Sequence, residues 1–223
     1  MQQEILDRVA LHRVSVLHIL LLGDFAHGAI HTSARVESQE STSDQLIHVS
    51  EILAELIHTL AAAVPSVRVY ATYGNHMRTV QNKKDSVHDD NMEKIIPWWL
   101  AIRLAEDKNI RFEQSMHEFI LVHVCGQNIC ATHGDLDTVR EFGVTANTLF
   151  SQKYGITVNL AIMGDKHHIE GLDKFGIDSL IAPALCGSDS HANGKRLYAA
   201  PSQMMLVYRP GYGKDAIYYL KLE

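Results

Sequence analysis

The sequence predicts an α/β fold with two packed mixed β-sheets and helices on the outside. Three observations carry this expectation. Strand and helix patterns alternate through the first half of the chain, and strand patterns dominate the second. Apolar residues make up 46% and charged residues 21% of the 223 positions, the balance of a globular chain with a sizeable core. Four strand patterns end at a glycine beside a carboxylate, carboxamide or imidazole: Gly23-Asp24, Gly74-Asn75-His76, His133-Gly134-Asp135 and Gly164-Asp165-Lys166-His167. Open α/β sheets bind ligands at such C-terminal strand edges.

The elements follow in order. Ile5, Leu6 and Val9 share one side of a helix expected from Gln3 to about Arg13. Val14 to Leu22 reads as a buried strand. Residues 28–43 are polar and irregular. Ser43 is the expected N-cap of a helix in which Leu46, Val49, Leu53, Leu56 and Leu60 recur at helical spacing, and Pro65 stops it after Ala63. Val67 to Thr72 is the next strand. After the polar loop 77–90, Asp89 or Asp90 is the expected cap of a helix kinked at Pro97, with Trp98, Trp99 and Leu100 on the core. Ile110 to Gln114, Glu118 to Val124 and Asn128 to Thr132 read as strands, the last two joined as a hairpin through Cys125-Gly126-Gln127. A helix runs from about Thr138 to Tyr154 and ends on Gly155. Leu160 to Met163, Leu180 to Leu185, Gln203 to Arg209 and Ala216 to Leu222 complete the strands. No repeat or linker divides the chain, so a single domain over residues 1–223 is expected.

Composition narrows the function. A net charge of −6 argues against a broadly basic nucleic-acid surface, although bound divalent cations would change the local field. No membrane span and no secretory signal pattern are read, so a cytoplasmic location without membrane partners is expected. The three cysteines lack metal-type spacing and read as small thiols, with Cys125 and Cys130 able to face each other across the hairpin.

The four strand ends together offer carboxylates (Asp24, Asp165), a carboxamide (Asn75) and imidazoles (His133, His167). Such mixed oxygen and nitrogen donors suit Mn, Fe, Zn or Co better than a pure oxygen site does. His76, next to Asn75, is the candidate to face substrate as an acid or a stabiliser of developing charge. His27, His31, Arg35, Arg78 and Lys83 lie in the polar loops as candidate substrate contacts, and for each a solvated loop position is the equal alternative. Lys84, Lys195 and Arg196 are of the same kind. His168 reads as a surface or supporting group beside His167.

In this order the motifs resemble the calcineurin-like metallophosphoesterase family. Within it, Gly23-Asp24-Phe25-Ala26-His27-Gly28, Ser33-Ala34-Arg35-Val36-Glu37 and Asn82-Lys83-Lys84-Asp85-Ser86 resemble the phage and prophage branch described as DNA-repair-exonuclease-like. The resemblance implies an αββα sandwich and phosphodiester hydrolysis at a pair of divalent ions, Mn first, with Fe, Zn, Co, Mg or Ni as alternatives. It implies that Asp24 bridges the ions, that Asn75 and His133 hold the second, and that His167 holds the first. Nucleic acid or another phosphodiester is the implied substrate, and a homo-oligomer is possible. Two departures stand out. No Asp-x-His precedes Asp24, so the family's first strand and two ligands of the first ion are missing, and Asp165 stands where the family has a histidine. The second ion's site is therefore expected to be the better preserved. The alternatives are a catalytically impaired module that acts by binding or oligomerisation, and a small-molecule or nucleotide phosphoesterase.

Overall fold

The computed structural model describes residues 1–30, 36, 38–186 and 198–222. The chain is mixed α/β, with sheets flanked by helices, and it forms two compact units, Gln2–Glu118 and Phe119–Glu223.

The N-terminal unit is built on a parallel three-stranded sheet. Its strands are β1 (Val16–Leu21), β2 (Ser66–Ala71) and β3 (Ile110–Phe112), in the order β1-β2-β3. Helix α1 (Gln2–His12) leads into β1, α2 (Thr42–Ala63) makes the crossover to β2, and α3 (Ile95–Arg103) precedes β3. Parallel neighbours require such crossovers. Strand β1, expected to be a buried strand, is only half-buried along most of its length, with Val16 exposed and Leu21 alone buried, because it lies at the edge of the sheet. Val67 and Val69 of β2 are buried, as are Leu46, Ala54, Ile57 and Leu60 along one stripe of α2. At 22 residues, α2 is long and apolar enough to span a membrane by length and composition alone, although no such run is read from the sequence. Its opposite face carries exposed Glu51 and Glu55.

Four local expectations differ from the structure. The N-cap of α2 is Ser41 rather than Ser43: its side chain accepts the Asp44 N–H at 3.2 Å. Asn91, not Asp89 or Asp90, caps the turn of 3₁₀-helix Met92–Lys94 that runs into α3, accepting from Glu93 N–H at 2.9 Å. Pro97 lies in the first turn of α3, where its missing N–H removes no helical bond and no kink is needed. Ile96 and Leu100, four apart, are fully buried and define the inner face of α3. Trp98, about 200° around the axis from Ile96, is therefore 62% exposed rather than in the core.

The C-terminal unit holds a five-stranded mixed sheet and a two-stranded hairpin. The large sheet runs β4 (Ile120–Val124), β5 (Gln127–Thr132), β6 (Leu160–Met163), β8 (Ile177–Ile181) and β7 (Glu170–Lys174), in that spatial order. Strands β4 and β5 form the expected hairpin, turning at Cys125 and Gly126, which both have positive φ, the signature of a two-residue primed turn. The register pairs Cys130 with Leu121, so the two cysteines do not face each other, and all three cysteines are thiols. Helix α4 (Val139–Tyr154) crosses over from β5 to β6 and ends on Gly155 in the left-handed conformation. Phe142, Ala146 and Phe150 bury its inner face against the sheet. Strand β7 is exposed along its whole length, and its partner β8 begins three residues earlier than the sequence pattern suggests. The last two strand patterns, β9 (Ser202–Arg209) and β10 (Gly213–Lys221), pair with each other as an antiparallel hairpin, not as strands of the large sheet. Ser202 N–H donates to Ala184 O at 3.0 Å, and Lys214 pairs with Asp178, so the hairpin is tied to the end and the side of β8.

Candidate metal-binding strand ends

Each unit brings chemistry-bearing residues to the C-terminal edge of one parallel strand pair. In the N-terminal unit the pair is β1 and β2, in register from Val16–Ser66 to Leu21–Ala71 and prolonged by Thr72 N–H to Leu21 O at 2.9 Å. Two turns leave this edge side by side. The first carries Asp24, with Gly23 at φ 88° and Asp24 itself at φ 55°. Aspartate tolerates this left-handed backbone better than most residues do. The second carries Gly74, Asn75 and His76. A Cβ on Gly74 would overlap the Asp24 carboxylate, and one on Gly23 would lie 2.6 Å from the Tyr73 carbonyl carbon, so the turns touch through backbone that only glycine allows.

Asp24 Oδ1 accepts the His76 N–H at 2.9 Å, and Oδ2 lies 3.8 Å from His76 Nε2. His76 Nδ1 is 3.1 Å from the His27 carbonyl. A carbonyl can only accept, so Nδ1 carries a proton and Nε2 is the nitrogen left to hold or deliver a second one. The His27 ring stands edge-on to His76, 5.5 Å between centroids, and is exposed.

Behind the turns lies a residue that sequence reasoning missed. Glu93 is 1% exposed, and its carboxylate accepts three backbone N–H groups: Asp24 at 3.1 Å and Gly74 at 2.7 Å on Oε2, and Phe25 at 2.6 Å on Oε1. Asn91, also buried, donates to Gly74 O at 2.7 Å.

In the C-terminal unit the pair is β5 and β6, joined past its end by Gly164 N–H to His133 O at 2.9 Å. His133 is 3% exposed and its Nε2 lies 3.5 Å from Asp165 Oδ1. Asp165 sits at φ 58° in a tight turn closed by Lys166 N–H to Gly164 O at 2.6 Å, a γ-turn of the strained hand. Its other oxygen accepts Lys166 Nζ at 2.8 Å. Burial alone would push this carboxyl up. The hydrogen bonds and positive charges of His133 and Lys166 outweigh it and hold Asp165 well below the usual carboxylate range. His167 is exposed, also at positive φ, with Nδ1 4.0 Å from Cys186 Sγ, a contact the sequence does not signal. His168 is exposed and bonds to Lys166 O and Glu170, the surface role expected of it.

Among the candidate substrate contacts, Arg78 is 9% exposed and its guanidinium donates to Asn75 O and Gln81 O, so it braces the second turn. Lys83 is exposed in the 3₁₀ turn Lys83–Asp85, as is Lys84. His31, Arg35, Lys195 and Arg196 lie outside the described residues.

The donor chemistry fits a divalent cation in both units. Asp24 and Asn75 offer oxygen donors from adjacent turns, and His133 and Asp165 offer a nitrogen and an oxygen close enough to share one ion.

No protein-family model matches the chain, and no curated protein is significantly similar to it. Solved structures are similar at low identity. An archaeal phosphodiesterase is 13% identical over 98% of this chain and 91% of its own, with a TM-score of 0.48. A predicted phosphoesterase from Streptococcus pneumoniae is 11% identical over 92% of this chain and 88% of its own, with a TM-score of 0.40. Vps29 from Entamoeba histolytica, solved with Zn²⁺, is 13% identical over 92% of this chain and 98% of its own, with a TM-score of 0.41. Likenesses of this size assign no activity to this chain.

Proposed function

We propose that the chain is a metal-dependent phosphoesterase that hydrolyses phosphodiesters, with DNA as the leading substrate and Mn²⁺ as the leading ion. One observation carries the reading. In each unit the motif residues sit on turns that leave the C-terminal edge of a parallel strand pair, in backbone that is strained or glycine-dependent at Asp24, Gly74 and Asp165. Strained conformations persist where a side chain must be aimed.

The roles follow from the residues. Asp24, Asn75, His133, Asp165 and His167 are the ligands, with His133 and Asp165 the pair whose contact favours one shared ion. Bound divalent ions supply Lewis acidity toward phosphoryl oxygens and a nucleophilic water at neutral pH. His76, held by its Nδ1–H on the His27 carbonyl, delivers a proton from Nε2 to the leaving oxygen. His27 and Lys83, both exposed, are the proposed contacts to phosphate oxygens.

A second reading, a module that binds without turnover, draws on Lys166. Its ammonium already neutralises one Asp165 oxygen at 2.8 Å. Hydrolysis of bis-p-nitrophenyl phosphate and of single-stranded DNA, with and without Mn²⁺, separates the two. The phosphoesterase reading expects metal-dependent turnover that Asp24→Ala and His133→Ala abolish. Turnover unchanged by either substitution refutes it, and stoichiometric Mn²⁺ uptake without turnover favours the binding module.

A further inference from the structure

We propose that Glu93 is a positioning residue for the proposed metal centre: its buried carboxylate clamps the two ligand-bearing turns of the N-terminal unit and so sets their affinity for metal. This rests on the reading of Asp24 and Asn75 as ligands.

The geometry is specific. Oε2 is shared between the N–H groups of Asp24 and Gly74, at 3.1 and 2.7 Å, so one atom pins the first turn to the second. Oε1 takes the next N–H, that of Phe25, at 2.6 Å. The successive N–H groups of Asp24 and Phe25 converge on one carboxylate, and Gly23 and Asp24 both hold positive φ. Without an acceptor behind it, this turn would carry inward-facing donors left unpaired, and Asp24 would relax toward the extended region that an L-residue prefers.

Glu93 is itself fixed. Asn91 caps its N–H at 2.9 Å and, through the same carboxamide, donates to Gly74 O at 2.7 Å. The backbone of the Gly74 turn is thus gripped at its N–H by Glu93 and at its carbonyl by Asn91. On the other side, Asp24 Oδ1 accepts the His76 N–H. Asn75 lies between these two fastenings, and its own carbonyl is held by Arg78 at 2.6 Å. Metal ligands supported this way lose affinity when the support is removed, although the support never touches the ion.

The number of acceptor oxygens matters as much as the shape. A glutamine at 93 would offer one acceptor oxygen and one amide donor. Whichever way it turned, the amide would face a backbone N–H, so at least one of the three bonds must break and two donors would oppose each other.

The test uses the full chain as Glu93→Gln and Glu93→Asp, with Asp24→Ala for comparison. Binding of Mn²⁺ alone is titrated by the loss of the free-ion electron paramagnetic resonance signal, and amide hydrogen exchange is followed at Asp24, Phe25 and Gly74. Glu93→Gln should weaken Mn²⁺ binding roughly 10- to 100-fold and speed exchange at the three amides, with far-UV circular dichroism unchanged. Glu93→Asp, which keeps the charge on a shorter stem, should fall between wild type and Glu93→Gln. If Glu93→Gln does not fold, Glu93→Asp is judged by the same two measurements. Wild-type Mn²⁺ affinity in Glu93→Gln beside lost affinity in Asp24→Ala overturns the positioning role and leaves the metal centre standing. A wild-type chain that takes up no Mn²⁺ overturns both.

Discussion

Gly74→Ala tests whether the two ligand turns of the N-terminal unit depend on backbone contact. Gly74 does not share the positive φ of Gly23, so the substitution introduces little conformational strain. Its whole effect is steric. The new methyl would lie 2.5 Å from Asp24 Cγ and closer still to Oδ1 and the Asp24 amide, against an ordinary contact of 3.4 Å or more. The turns must part by about 1 Å, which costs on the order of 1–3 kcal/mol as overpacking. Parting also lengthens the Gly74 bond to Glu93, and a buried donor left without its acceptor adds about 1–3 kcal/mol. We expect a total near 3 kcal/mol, or roughly 6–12 °C in melting temperature for a chain of this size. The chain's two tryptophans, Trp98 and Trp99, both lie on α3, so their fluorescence during urea unfolding reports on the N-terminal unit. Gly126→Ala is the matched control. It has φ 81° and nothing within 4 Å of its Cβ position, so it carries conformational strain without a clash. It should cost roughly 1–2 kcal/mol and leave Mn²⁺ affinity unchanged. Gly74→Ala should shift the transition and weaken Mn²⁺ binding together. Wild-type stability and wild-type affinity in Gly74→Ala would refute the packing of the two turns.

Two further outcomes are expected. Burial, with a smaller contribution from Asp137, raises the Cys130 thiol to about 12. The unfolded thiol ionises near 8.5, so this contribution to stability is complete below about pH 8.5 and is lost as pH rises toward 12. Urea midpoints measured from pH 8 to 11 should fall less steeply for Cys130→Ala, and a thiol reagent at pH 8 should label exposed Cys186 in the native protein but Cys130 only after unfolding. Ser41→Ala removes the acceptor for Asp44 N–H and should cost about 1 kcal/mol, whereas Ser43→Ala should cost a few tenths at most; equal effects in urea melts would return the cap to Ser43.

The legible features were those a local pattern can encode. Strands β1, β2, β5 and β6 are short apolar runs followed within three residues by glycine, and the sequence pattern matches the bounds of each to within two residues. The caps were harder, because Ser41, Thr42 and Ser43 stand in a row and the rule for an N-cap accepts all three; only the reach of Ser41 to Asp44 N–H decides. Strand β7, Glu170–Lys174, carries a single apolar side chain and is exposed at every position. Nothing in such a segment alternates, and its strand character comes from pairing with β8. Trp98 misled for a related reason. Aromatic size argues for burial, but the phase of α3 had already been set by Ile96 and Leu100.

The candidate site divides along the same line. Asp24, Asn75, His133 and Asp165 could be found because each sits beside a glycine where a strand pattern breaks, so chemistry and local structure coincide in a few residues. Glu93 could not. The Asp24, Phe25 and Gly74 N–H groups that its carboxylate accepts lie 19 to 69 positions away, and every residue but proline possesses such a group. No side-chain spacing records such a contact. Yet the left-handed turn at Asp24 needs an acceptor for its inward-facing N–H groups, and that need is a consequence of the very Gly23-Asp24 signal that the sequence displays. A glycine-dependent turn with N–H groups turned inward therefore implies an acceptor behind it, even where the sequence cannot say which. Among the described residues of this chain, Glu93 meets that requirement from the 3₁₀ turn before α3. The identity of the clamp is non-local, but its necessity is local.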